Sequence, residues 1–266
     1  MRGLRGLALA RLGVAGALAT AGVVPGLVLT TPAGAGGTCF GEAPTIVRGN
    51  GDDRVQGTQG SDVIVTGGGD DYVAGGDGRD LICVGDGDDF VDAGKMNDQI
   101  DGGEGEDELH GYNGDDRILG RDGRDFLDGR RGNHLDVLIG GAGNDRALGG
   151  VLVKGGAGDD RLTSDAYGRD QQRNRVVGGT GDDRITGDSD GTRFGETLIG
   201  GAGRDQLRGK DHDDTLDGGP DNDDLQGGDG SDDLDGGPGD DTCAQGAGTG
   251  TETGCETLNR PGARTA

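Results

Sequence analysis

From Arg48 onward the hydrophobic positions recur every nine residues, a period that fits neither an amphipathic helix nor a long alternating strand. Written in nines the chain runs RGNGDDRVQ, GTQGSDVIV, TGGGDDYVA, GGDGRDLIC and VGDGDDFVD. The eighth position is always aliphatic: Val55, Ile64, Val73, Ile82, Val91, Ile100, Leu109, Ile118 and Leu127. The sixth is always Asp: Asp53, Asp62, Asp71, Asp80, Asp89, Asp98, Asp107, Asp116 and Asp125. One apolar residue between two variable ones predicts a short strand over positions seven to nine, with the middle side chain inward and its neighbours outward. The glycines before it predict a tight turn with positive φ. One such unit cannot bury its own apolar side chain, so the units must stack.

The period breaks at four places after Gly129, and each time a strand-like ending returns, as DVLIGG, VLVKGG, NRVVGG and ETLIGG. Irregular loops are therefore expected at 129–139, 149–154, 164–177 and 187–199, with Leu138, Val153, Val176 and Leu198 keeping the inward position. Counted as half-turns from Arg48, these are the tenth, twelfth, fourteenth and sixteenth, so with two half-turns per coil they stack along one edge. The odd-numbered edge stays regular through GGAGND, GGAGDD, GGTGDD and GGAGRD, and its sixth position continues as Asp145, Asp160, Asp183 and Asp205. The full phrase then resumes with Asp214, Asp223, Asp232 and Asp241. This parity requires 149–154 to be a half-turn, which its Val-Leu-Val signature favours; as an insertion it would reverse the order of everything after it. Even loops are weaker elsewhere too, with Met96 at a glycine position and Lys210 and His212 inside the phrase.

Composition adds a warning and a direction. With 64 Gly, 3% aromatics and a formal net charge of −25 over 266 residues, the chain cannot build an ordinary globular core, and only its periodicity argues against disorder. Such a polyanion avoids nucleic acid and attracts cations. Residues 1–35 differ: Arg2, Arg5 and Arg11 precede an apolar run from Leu12 to Leu29, then TPAGAGG. This reads as a secretory signal peptide cut before Gly36, with a retained anchor as the alternative, and no second apolar segment follows it. The remainder divides into an N-terminal cap at 36–47, the repeat region at 48–244, and a C-terminal cap and tail at 245–266.

The phrase resembles the G-G-x-G-x-D-x-U-x nonapeptide of the RTX, or hemolysin-type, calcium-binding family, where U is a large aliphatic residue. The resemblance covers nearly everything from Arg48 to Ala244. It implies an all-β, right-handed parallel β-roll (a β-solenoid) with two nonapeptides per turn, about ten turns and roughly 50 Å long at strand spacing. It also implies Ca²⁺ in the GGxGxD loops, with metal-binding roles for Asp53, Asp62, Asp71, Asp80, Asp89, Asp98, Asp107, Asp116, Asp125, Asp145, Asp160, Asp183, Asp205, Asp214, Asp223, Asp232 and Asp241. The chemistry agrees: glycine lets backbone carbonyls converge, and aspartate adds a hard anionic oxygen of the kind Ca²⁺ prefers. Loops crowded with carboxylates repel until a divalent cation neutralises them, so folding is expected to be coupled to Ca²⁺ binding. Affinity should fall in the roughly 10⁻⁴ to 10⁻³ M range of extracellular modules.

Four cysteines in an apparently exported chain point to disulfides. We expect Cys39 to pair with Cys83, an outward ninth residue that the N-terminal segment can clip, and Cys243, an inward eighth residue, to pair with Cys255 and close the end of the core. This arrangement is similar to that of small exported calcium-binding proteins of actinobacterial type.

No H-E-x-x-H, G-x-S-x-G or P-loop occurs, and His110, His134 and His212 are scattered, so a secreted, noncatalytic calcium binder is expected. Two other classes remain: a calcium-dependent adhesin for glycan or cell wall, and a polysaccharide lyase or epimerase using an arginine column beside bound Ca²⁺. Thr163 and Thr186 are too few for an ice-binding array. The column is formed by Arg146, Arg161 and Arg184, outward seventh residues that either dock an anionic glycan or protein or pair with nearby loop carboxylates. Tyr72, Phe90, Val63 and Leu81 also point outward and are expected to pack under the N-terminal segment, with a partner patch as the alternative. The edge of irregular loops is where a glycan, cell-wall or protein partner is expected; nucleic acid and a membrane span in the mature chain are not.

Overall fold

A computed structural model describes residues 37–129, 135–164, 174–189 and 194–258. The apolar N-terminal stretch, His134, most of the irregular loops (130–134, 165–173 and 190–193) and the tail 259–266 lie outside the described residues. Among the described residues the chain is all-β, without a helix. Two parallel sheets of twelve strands face each other. The first runs from Ile46–Val47 through Val63–Gly68 and Leu81–Asp86 to Thr251–Thr253, and the second from Arg54–Gln56 through Tyr72–Asp77 and Phe90–Lys95 to Thr257–Leu258. The chain changes sheet at every repeat, so neighbours within a sheet are two repeats apart, as in the register Val63↔Leu81↔Gln99. The result is a β-solenoid of about eleven turns, slightly longer than the ten the phrase predicts, because Ile46–Val47 and the strands after Ala244 add pairings at each end.

The eighth positions form the core, a single file of Val, Ile and Leu side chains with at most 1% exposure from Val55 to Cys243. Pairing does not stop at the ninth residue, as the three-residue strand reading supposed. It continues through the first three residues of the next loop, giving six-residue strands such as Leu81–Asp86, and alternation then turns the first position inward as well. Thr66, Val84 and Ala93 occupy that position and are fully buried. Strands stay three residues long ahead of the irregular loops, at Phe126–Asp128, Arg146–Leu148, Arg161–Thr163 and Arg184–Thr186. They are equally short at Thr215–Asp217 and Asp233–Asp235, where Pro220 and Pro238 follow three residues later and have no N–H to give the ladder.

The irregular segments return to a common register, Leu138↔Val153↔Val176↔Leu198, all in the first sheet. Residues 149–154 thus supply a strand between those ending the tenth and fourteenth half-turns, and each irregular segment falls where the chain passes from the second sheet to the first.

Both disulfides form as expected, Cys39–Cys83 and Cys243–Cys255, each with Cα atoms 5.8 Å apart. Cys39 is buried against the outer face of the first sheet. Cys243 is fully buried at its eighth position, in register with Leu225, and Cys255 packs against the core there. On the outer face of the second sheet, Tyr72 and Phe90 are covered by their own neighbours rather than by the N-terminal segment: their rings stack at 5.1 Å, and the Arg54 guanidinium lies 3.9 Å from the Tyr72 ring centroid.

Candidate metal centre

Each loop ends in the sixth-position aspartate, whose backbone begins the strand and whose side chain turns back under the loop. On the odd edge the amide of each such residue donates to Oδ1 of the equivalent residue one coil later. The ladder runs Asp53, Asp71, Asp89, Asp107, Asp125, Asp145, Asp160, Asp183, Asp205, Asp223, Asp241, with every contact between 2.7 and 3.0 Å. Glu256 closes it by accepting from the Asp241 amide at 2.6 Å. Fifth-position side chains make a second ladder in the opposite sense: the amides of Asp70, Asp88 and Glu106 donate to Oδ1 of Asp52, Asp70 and Asp88 in the coil before.

The sixth-position carboxylates are only half satisfied. Oδ2 is buried and accepts no hydrogen bond in Asp71, Asp80, Asp89, Asp98, Asp107, Asp125, Asp145, Asp160, Asp183, Asp205, Asp214, Asp223, Asp232 and Asp241. Of these fourteen, ten belong to the odd edge. A buried carboxylate oxygen without a donor is costly, and its repetition along two columns marks a position built for something else. The first glycine of the loop leaves that oxygen uncovered: a Cβ on Gly102 would stand 2.3 Å from Asp107 Oδ2 and 2.8 Å from the Gly120 carbonyl one coil on. Carbonyls also stack along the roll, so that a Cβ on Gly105 would meet the Gly87 oxygen at 2.1 Å. The donor set is thus one carboxylate and several backbone carbonyls, all hard oxygens, which fits Ca²⁺. No group of three or more His, Cys, Asp or Glu side chains among the described residues is placed to hold a metal, so carbonyls must complete any site.

Electrostatics records the same frustration. Burial, opposed by the amide hydrogen bond and reinforced by neighbouring carboxylates, pushes Asp89, Asp107, Asp125, Asp160, Asp183, Asp214 and Asp223 up to about 7. Asp98 rises to about 8, and Asp145 and Asp205 to about 6. Asp71, Asp80, Asp232 and Asp241 shift upward for the same first cause.

The even edge differs. Asp62, Asp80, Asp98 and Asp116 form the same ladder, which then reaches Asp136, whose Oδ1 accepts from the Asp116 amide at 2.7 Å. Asp136 is a sixth-position residue that sequence counting missed, because its loop is two residues too long; counting back from Val137-Leu138-Ile139 would have found it. Beyond it the equivalent position is held by Val151, Asn174 and Glu196, whose carbonyls accept from Arg175, Thr197 and Thr215 as the sixth-position aspartates do from theirs. Glu196 is 3% exposed, yet its oxygens have protein donors: Ser164 Oγ at 2.6 Å and the Asp188 amide at 2.9 Å. The ladder resumes through Asp214 and Asp232. Asp62, at the start of this edge, is also served internally, by the Thr58 amide and hydroxyl at 2.7 and 2.9 Å.

The expected arginine column exists in register, Arg146↔Arg161↔Arg184, on the outer face of the second sheet. Among the described residues it pairs with no loop carboxylate: the Arg146 guanidinium lies 5.2 Å from the Phe126 ring centroid, and Arg184 donates to Gln206 Oε1 at 2.8 Å.

No curated protein sequence matches the chain. The family model of the RTX calcium-binding nonapeptide repeat (four copies) matches residues 48–82, 84–118, 101–133, 135–151, 152–166, 170–190, 190–225, 208–243 and 218–251. With repeats of this description across most of its length and the half-satisfied aspartate columns they build, the chain belongs to the RTX calcium-binding nonapeptide-repeat family.

Proposed function

We propose that the chain is an exported, noncatalytic module whose sixth-position aspartates bind Ca²⁺ and whose β-roll forms as they do so. The observation that carries this reading is the column of buried Oδ2 atoms without hydrogen-bond donors. A bound Ca²⁺ would supply the positive charge these oxygens lack, held by the aspartate of the loop together with loop carbonyls. The ten such oxygens on the odd edge support about ten ions there, and the four on the even edge support fewer, with Val151, Asn174 and Glu196 interrupting that side.

A structural role is favoured over general acid–base chemistry because these carboxylates are almost fully buried and accept from the preceding coil's backbone, out of reach of a substrate. Two disulfides and the apolar N-terminal run support export, into the millimolar calcium that such sites require.

Circular dichroism at pH 8 in chelator and then in millimolar Ca²⁺ tests the reading. A β signal that appears with Ca²⁺ is expected; a full signal in chelator, unchanged by Ca²⁺, would overturn it.

A further inference from the structure

We infer that the outer face of the second sheet, between Phe126 and Gln206, is a calcium-gated binding surface for a linear acidic polysaccharide. The inference rests on the calcium reading above.

Arg146, Arg161 and Arg184 are exposed, in register, and about one strand spacing (~4.8 Å) apart. Like charges stacked in this way are unfavourable without a counter-anion. Among the described residues no carboxylate lies within ion-pair distance of the three, although the chain holds 50 acidic side chains. The contrast with their neighbours is sharp: Arg124 and Arg204, which stand two positions earlier in their repeats, bind Glu106 and Asp182. The cause lies in the strands themselves. The outward ninth residues beside the column are Leu148, Thr163 and Thr186, so this patch of the sheet carries three guanidinium groups and no acid.

Shape selects a linear ligand. Two grooves, of about 550 and 620 Å³, run along the rim of this face and meet at Asp159 and Arg161, forming a track from Glu106 to Thr242. Phe126 stands at the head of the arginine column, half-buried, with the Arg146 guanidinium over its ring.

Charge selects the condition. The track is also lined by sixth-position aspartates, Asp107, Asp160 and Asp205 among them, and by the acids Glu106, Glu108, Asp159, Asp182, Asp224 and Asp240, and without metal these would repel a polyanion. Fourteen bound Ca²⁺ would bring 28 positive charges against a formal net charge of −25, leaving the column as an uncompensated cationic stripe. A loaded protein near neutrality suits a polysaccharide with one carboxylate or sulfate every sugar or two. Nucleic acid, with its denser charge, is normally held by strongly basic domains.

The test measures binding of hyaluronate, chondroitin sulfate, neutral dextran and single-stranded DNA to the full chain, in chelator and in millimolar Ca²⁺. It compares the wild type with the triple variant Arg146→Gln, Arg161→Gln, Arg184→Gln, and circular dichroism of the same samples follows calcium-induced folding. We expect at least one acidic polysaccharide to bind only in Ca²⁺, and the variant to lose tenfold or more in affinity while its calcium response is unchanged. Equal binding by the variant, equal binding in chelator, preference for DNA or dextran, or no binding to either acidic polysaccharide would each overturn the inference. Loss of the circular dichroism response would instead count against the calcium reading.

Discussion

The amide of Asp160 donates to Oδ1 of Asp183 at 2.8 Å across 23 residues of chain. Asp71 makes the same contact to Asp89, at 2.7 Å, across 18. The difference in chain length is absorbed on the opposite edge, where the fourteenth half-turn lengthens its loop, and none of it reaches the odd ladder. Strand pairing fixes the rise per coil, and each amide-to-carboxylate bond fixes the loop on top of it. An irregular loop is therefore tolerated wherever the inward strand residue returns, as Val176 does between Val153 and Leu198.

That rigidity holds carboxylates in a place where they resist ionisation, which gives the metal-free fold a defined pH dependence. In an unfolded chain these groups titrate near ~3.9. In the metal-free fold Asp145 and Asp205 stand at about 6, Asp107 and Asp160 at about 7, and Asp98 at about 8. Between those limits the folded form holds protons that the unfolded chain has released, so acid favours folding and stability is lost progressively as pH rises from ~4 through the folded values of about 6 to 8. In chelator, the β signal should strengthen as pH falls from 8 to 5, and calcium affinity should strengthen in the opposite direction as Ca²⁺ displaces protons. Circular dichroism and calcium titrations at several pH values check both trends.

A single neutral substitution should separate the two roles of the aspartate. Asp107→Asn keeps an oxygen to accept from the Asp89 amide but removes the charge from the buried, unsatisfied side. In chelator near pH 8 the variant should be more stable than the wild type by about 1 to 3 kcal/mol, the cost of the desolvated group it relieves. In calcium it should bind at least one ion fewer per chain. The β signal retained in chelator as pH rises from 5 to 8 and ion counting by native mass spectrometry check the pair of opposite effects, and a variant weaker in both would contradict them.

Much of this was readable in the sequence because one residue type does one job at one position. The eighth residues gave the core, and inward Cys243 gave its own disulfide partner a place to return to. The inward first position escaped notice because it is mostly glycine, which shows no pattern; among the buried described residues Thr66, Val84, Ala93 and Ser164 reveal it. Asp136 was hidden by a loop of unusual length. Glu196 was hidden more deeply, since its donor Ser164 lies 32 residues away and only the coil brings them together.

Met96 stands where the repeat calls for glycine, and its backbone takes φ of 73° with the side chain exposed. An L-residue in that region costs about 1 to 2 kcal/mol, of which glycine returns part through greater freedom in the unfolded chain. Met96→Gly should stabilise the calcium-loaded protein by about 0.5 to 1 kcal/mol, seen as a raised melting temperature. Gly105→Ala should do the reverse, because its Cβ would meet the Gly87 carbonyl at 2.1 Å. Thermal melts in saturating Ca²⁺ compare the two.

On the interrupted edge a carboxylate is held by the protein itself. Ser164 Oγ donates to Glu196 Oε1 at 2.6 Å, the Asp188 amide donates to Oε2 at 2.9 Å, and the Glu196 amide in turn donates to Asp214 Oδ1 at 2.7 Å. Glu196 therefore continues the ladder without needing a cation, and Ser164, 2% exposed, fills the role proposed for metal elsewhere. Ser164→Ala leaves Oε1 without that donor and should cost about 1 to 3 kcal/mol in saturating Ca²⁺. Because no ion is displaced, the number of bound Ca²⁺ should be unchanged, whereas Asp214→Asn, one coil further along the same edge, should lower it. Thermal denaturation gives the first quantity and native mass spectrometry the second; a fall in bound calcium on losing the Ser164 hydroxyl would place a metal where the hydrogen bonds now stand.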